Sequence, residues 1–440
     1  MLQFHRVKSK QFLLFVVLSN IIYLLPLQTK AQADETLFGR SINVAVTKSK
    51  AENGDANAMM LLAALYGKGL GVEKDTSLAI KWLEKSAKGG NPMAMSDLAI
   101  LVKYNKIPDQ DSSKSFLWML TAAQLGNPVA MLNLGSLYMS GKVVPRDTIE
   151  GLRWFNASAE KKFPPAMQTL AFIYDNGRGV NKDSTLALKW YTKGAEAGDA
   201  NAQNNLGLKY RKGRWVARDY KRAMELFKKS ADAGNTFGLY NVGLMYLYGR
   251  GVPVDEDAAL KWFLKSAEKK TPSGAIYAIG YFYEYGRGGL QIDIDEAIKW
   301  YNKPAPTATM AACYFRLGNI YEQGKGNIKA DINEAIKYYQ QSADDGNITG
   351  MYFLGHAYEL QQKKDEAATW YTKALELYKK EVPKAIDDTE LMIGLARMYE
   401  NGNGTEKNIS EAINLYRQAA ELGNWEAQEK IKSLTSKKSD

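Results

Sequence analysis

Residues 166 to 198 read AMQTLAFIYDNGRGVNKDSTLALKWYTKGAEAG, and the columns of this stretch recur along the chain. Tyr174 anchors it, because Tyr138, Tyr174, Tyr210 and Tyr246 follow one another every 36 residues. Tyr66 lies two periods upstream, and the series continues through Tyr283, Tyr321, Tyr358 and Tyr399, with Val102 filling the gap. Ten units result, from about residue 51 to 423. A period of this length marks a repeat architecture rather than two or three ordinary domains.

Three residues before each anchor stands a small residue, such as Ala171, Gly207 or Gly280, preceded by an aliphatic such as Leu170 or Leu206. Eight before the anchor is a second small column, Ala166 and Ala202 among them, which Cys313 joins. Offsets of −8, −4 and 0 stack on one face of a 3.6-residue period, so this is an amphipathic helix A with a seam where another helix crosses closely. Glycine at +3 (Gly69, Gly141, Gly177, Gly213, Gly249, Gly286, Gly324, Gly402) stops that helix in a left-handed turn. An aspartate column follows, including Asp75, Asp111, Asp147 and Asp183, suited to capping the start of helix B. Helix B carries a tryptophan seam: Trp82, Trp118, Trp154, Trp190, Trp262, Trp300 and Trp370. A single hairpin cannot bury both faces, so the units must stack. The expected fold is all-α, an α-solenoid winding as a right-handed superhelix of about ten helix-turn-helix repeats. Residues 424–434 should close it with a capping helix, 435–440 form a polar tail, and 34–50 serve as a linker or irregular N-terminal cap.

The pattern A-x3-L-G-x2-Y-x2-G-x-G-V-x3-D-x3-A-x2-W-x4-A-A-x2-G closely resembles the Sel-one-like repeat, a tetratricopeptide-like helical repeat, over nearly all of the chain beyond residue 50. Repeat two departs from it in lacking the Gly-x-Gly turn, with Lys103-Tyr104-Asn105-Lys106 instead, and repeat nine is shorter and closer to a tetratricopeptide unit. The resemblance implies an adaptor scaffold, often at the bacterial cell envelope, and no reaction. Some exported relatives carry a disulfide in each repeat, and this chain, with Cys313 alone, departs from that branch.

Composition agrees with a folded chain: 45% of residues are hydrophobic and 24% charged. Residues 1–33 differ, with Arg6, Lys8, Lys10 and Lys30, an apolar run from Phe12 to Leu27, Ala31-Gln32-Ala33 and no acid. That order is expected of a signal peptide cleaved near Ala33, leaving an exported protein, periplasmic or secreted, without a membrane span. Its loss would lower the net charge from +10 to +6, spread along the chain, so nucleic acid is not an expected partner.

Candidate chemistry is sparse. Cys313 and His356 lie on adjacent helices A, but Cys313 occupies a column of Ala and Gly and reads as a packed thiol. One Cys and one His beyond the leader cannot build a usual metal cage, and no cofactor is expected. Gly177-Arg178-Gly179 and its kin lie between helices and lack the ending a phosphate loop needs. The chain is therefore expected not to be an enzyme, an envelope hydrolase being the least favoured reading, but to hold a protein or peptide; a cell-wall glycan such as peptidoglycan is the alternative partner.

The expected site lies on the concave, helix-A side of repeats six to nine. Offset −6 reads Tyr240, Tyr277, Phe315 and Tyr352 there, against Met60, Ser96, Leu132, Gln168 and Asn204 earlier. Tyr281 and His356 stand at −2, and Glu284, Glu322 and Glu359 at +1. Rings beside a row of carboxylates suit an extended segment with apolar and basic side chains. The polar residues at −6 in repeats two, four and five favour an exposed column.

Overall fold

The structure, a computed structural model, describes residues 36–37, 40–41, 43–103, 112–269, 274–384, 388–422 and 424–436. The leader of residues 1–33, the turn at 104–106, Asp111 and residues 437–440 lie outside the described residues.

Two residue pairs, Thr36–Leu37 and Arg40–Ser41, form a short antiparallel ladder. A helix, Val44–Glu52, follows, capped by Asn43, whose side chain accepts from the Val46 N–H. It packs on repeat one through Val44 and the fully buried Ala51. The sequence pattern left this segment irregular because only Thr47 and Ala51, one turn apart, are buried, too few to set a period.

Among the described residues, twenty helices then alternate as A and B. Repeats one to five are Ala56–Lys68 with Thr76–Lys88, Pro92–Lys103 with Ser112–Gln124, Pro128–Ser140 with Thr148–Glu160, Pro164–Asn176 with Ser184–Glu196, and Ala200–Lys212 with Tyr220–Asp232. Repeats six to ten are Thr236–Leu247 with Glu256–Ala267, Ala275–Tyr285 with Ile294–Tyr301, Thr307–Gln323 with Ile332–Asp344, Ile348–Leu360 with Lys364–Glu381, and Thr389–Asn401 with Ile409–Glu421. The closing helix is Trp425–Ser436. The fold is an all-α solenoid of successive helix pairs. It divides into two compact units, residues 1–202 and 203–440.

The repeat residues act as their types dictate. Gly69, Gly141, Gly177 and Gly286 take φ between 63° and 72° and end helix A. Asp75, Asp147, Asp183, Asp219, Asp255, Asp293 and Asp331 each accept from backbone N–H groups of helix B, so these carboxylates are spent on caps. Serines buried in helix B tie the hairpin: Ser86 donates to the Ala56 carbonyl at 2.6 Å, Ser158 to Pro128 at 2.7 Å and Ser342 to Ala311 at 2.6 Å.

The seam inside each hairpin lies one residue beyond the tryptophans. Phe155, Tyr191, Phe227, Phe263, Tyr301 and Tyr339 are all buried, whereas Trp154, Trp190, Trp262 and Trp300 are half-buried, three of them beneath Lys193, Lys265 or Lys303. The small residue at −3 meets that ring. A Cβ on Gly243 would stand 2.5 Å from the Phe263 ring, and one on Gly135 2.7 Å from Phe155. The −8 column is closed as well, with Ala94, Ala130, Ala166, Ala202, Ala275 and Cys313 all fully buried.

Candidate functional site

The buried column of helix B also explains the acids at +1. Where +1 is acidic, helix B carries tyrosine, and the phenol donates to the carboxylate: Tyr191 to Asp175 at 3.1 Å, Tyr301 to Glu284 at 2.8 Å, Tyr339 to Glu322 at 2.5 Å, Tyr371 to Glu359 at 2.7 Å and Tyr416 to Glu400 at 2.7 Å. In the other five repeats +1 is Gly67, Lys103, Met139, Arg211 or Leu247, and the buried residue is Leu83, Met119, Phe155, Phe227 or Phe263, none with a hydroxyl. A buried phenol needs an acceptor, and a phenylalanine does not. This pairing was visible in the sequence as co-occurrence, once the column beyond Trp was taken as the core.

Each carboxylate of the row is therefore engaged inside its own repeat, and Glu284 fully so. Glu284 has a fully buried side chain, held by Arg316 at 2.5 Å and Lys325 at 2.8 Å as well as Tyr301. Burial would raise its carboxyl, but these cations and bonds outweigh that and hold it below the usual carboxylate range. Glu322 accepts from Tyr339 and lies 3.2 Å from Nδ1 of the half-exposed His356. Glu359 is exposed and still accepts from Tyr371.

The −6 rings pack inward. Tyr240 lies 5.6 Å from Phe263, Tyr277 6.2 Å from Tyr301, Phe315 6.2 Å from Tyr339 and Tyr352 5.5 Å from Tyr371, ring centre to ring centre. Burial pushes the Tyr240 phenol up to about 12. Tyr352 is buried and its hydroxyl engages Asn401 and Asn403 of the next repeat. Polar residues at −6 do not mark exposure either: Ser96 and Asn204 are buried, and Asn204 accepts from Asn241 at 2.8 Å. The expectation of an exposed column at −6 is corrected on this ground; at Asn204 the neighbouring repeat supplies the hydrogen bond that water would.

What faces outward is different. In repeat seven Tyr277, Tyr281 and Tyr285 form a stair along one helix face, with ring centres 6.3 Å and 4.6 Å apart. Tyr285 is 42% exposed, and Tyr248 of repeat six 58%. Arg316 lies 5.5 Å above Tyr281 and 5.1 Å above Tyr285. The stair thus joins a packed ring, Tyr277, to a solvent-facing one. Cys313 is buried, and desolvation pushes its thiol up to about 12, the opposite of an activated nucleophile. Among the described residues no group of three or more His, Cys, Asp or Glu converges as a metal site, and no helix is long and apolar enough to cross a membrane.

Nine segments, residues 56–91, 92–127, 128–163, 164–199, 200–235, 236–270, 273–303, 311–347 and 389–424, match the Sel1 repeat model. The chain belongs to the Sel1 repeat family. A tetratricopeptide repeat model matches residues 351–381, where the short turn was read. No curated protein matches the sequence. Among solved structures the Sel1 chain is similar to c5321, a protective antigen present in uropathogenic Escherichia coli strains and displaying an SLR fold, at 29% identity and a TM-score of 0.60, covering 89% of this chain and 82% of that one. A Sel1 repeat protein from Oxalobacter formigenes shares 26% identity at a TM-score of 0.40, over 57% and 87% of the two chains. Sel1 and tetratricopeptide-like repeats are generally non-catalytic scaffolds that mediate protein–protein interaction.

Proposed function

We propose that this Sel1 chain is an exported, non-catalytic scaffold that holds a protein or peptide partner on the helix-A side of repeats six to nine. The Tyr277–Tyr281–Tyr285 stair carries the reading: it offers a ring-rich surface continuous with the core, and tyrosine gives large contact area at low entropic cost. Tyr281 and His356, both half-buried, and Phe315 extend the surface, while Tyr240, Tyr352 and Glu284 support it from below. Export rests on the basic start, apolar run and Ala31-Gln32-Ala33 of the leader.

The test is affinity capture by the chain lacking residues 1–33, from an envelope extract and separately on isolated cell walls, followed by cross-link mapping. A protein partner cross-linked to repeats six to nine, with capture weakened by Tyr281→Ala at unchanged thermal stability, is the expected result. Retention on cell walls alone would replace the protein partner with a glycan. Cross-links confined to other repeats would overturn the placement, and an intact Met1 on exported protein would overturn cleavage.

A further inference from the structure

At +4 after the anchor, four successive repeats of the second unit carry Arg214, Arg250, Arg287 and Lys325. Each lies over an aromatic ring: Arg214 over Trp215 at 4.8 Å, Arg250 over Tyr248 at 5.0 Å, Arg287 over Tyr281 at 5.7 Å and Lys325 over Tyr285 at 4.9 Å. The column sits in the turn after helix A, so stacking the repeats turns it into a ladder along one edge.

Trp215 makes this more than a by-product of the repeat. It occupies the place where other repeats put Gly71, Gly179 or Gly251, and it takes φ 70°, a conformation costly for a side chain of this size. Lys209 flanks the same ring at 4.2 Å. A tryptophan held where glycine would be unstrained puts a ring on this edge against the local preference of the chain.

The column places four cations along the edge. Arg287 is tied to Glu256 and Lys325 to the buried Glu284, each keeping part of its side chain in solvent. Arg250 has ring contacts and no carboxylate partner among the described residues. We infer that this edge of repeats five to eight binds an acidic, extended segment of a partner protein, its carboxylates meeting the guanidinium and ammonium groups and its apolar side chains the rings. The inference rests on the scaffold reading and adds the partner's chemistry. It reverses the charge expected when the +1 glutamates were taken as free.

Spacing narrows the occupant. Stacked helices stand about 10 Å apart, and a polyproline II segment advances about 3.1 Å per residue, so an acid at every third position keeps step with the ladder. Cations partly neutralised by Glu256 and Glu284 give directed donors at intervals, which suits spaced carboxylates better than a continuous polyanion.

The experiment titrates the full chain with fluorescein-labelled peptides of repeating Glu-Pro-Pro, Lys-Pro-Pro and Ser-Pro-Pro, and with a sulfated polysaccharide, by fluorescence anisotropy. The Glu peptide is expected to bind, more weakly as salt rises, and to lose about tenfold in affinity with Arg250→Glu. Trp215→Gly, which restores the residue of the other turns and should fold at least as well, is expected to weaken it too. Equal binding of the Lys peptide, binding of the polysaccharide without the Glu peptide, or unchanged affinity in both variants would overturn the inference. If the partner captured through Tyr281 is retained by Arg250→Glu and the Glu peptide does not bind, the edge assignment fails while the scaffold stands; loss of all capture by the unmodified chain would remove the scaffold reading itself.

Discussion

Asp183 and Gly243 illustrate what one residue decides here. The Asp183 carboxylate accepts the Leu186 N–H at 2.9 Å at the start of a helix. Asp183→Ala leaves that donor to water and should cost about 1 kcal/mol in urea denaturation. Gly243 is under the opposite constraint, because the Phe263 ring lies where its Cβ would be, and that ring is fully buried. Gly243→Ala should destabilise by about 1–3 kcal/mol through overpacking, despite the roughly 1 kcal/mol that alanine gains over glycine in a helix. A stabilised variant would show that the hairpin opens freely.

Between elements, the tie from Glu322 to Tyr339 and His356 spans two repeats and titrates. The bond to Glu322 raises the His356 pKa above 6.5, with burial opposing it. Burial alone would raise Glu322, but the bonds from His356 and Tyr339 prevail and lower it below 4.5. The histidine's contribution is full below its unfolded pKa and is lost as pH rises through the higher folded value. The glutamate's is full above its unfolded pKa and is lost as pH falls through the lower folded value. The tie is therefore strongest between 4.5 and 6.5, the two reference values. His356→Ala should flatten the loss of stability between about pH 6 and about pH 8, measured by denaturation across that range, without altering the caps. An unchanged slope would mean that the half-exposed imidazole is screened by water.

Across the whole molecule, each repeat is stabilised by its neighbours, so damage should stay local. The closing helix Trp425–Ser436 holds repeat ten through Arg397 with Glu426 and through Lys430 with Glu400 at 2.9 Å. Truncation before Asn424 should speed amide exchange in Thr389–Asn401 and Ile409–Glu421 while repeats one to four keep their protection. Uniform loss across the chain would instead indicate one cooperative unit.

The sequence alone determined the helix pairs, the glycine end of helix A and the aspartate cap of helix B, because Gly at +3, the aspartate column and the spacing of Tyr138, Tyr174 and Tyr210 each act within a few residues of themselves. It also placed Cys313 correctly in a packed column. It could not rank Trp300 against Tyr301, since both lie toward the inner face of helix B and only the opposing Gly280 selects the tyrosine for burial. The same limit misplaced Glu284: whether it faces solvent depends on Arg316 and Lys325, 32 and 41 residues away, brought to it by stacking. Which side chains are left for a partner is thus a tertiary outcome, decided by which polar groups the neighbouring repeats have already satisfied.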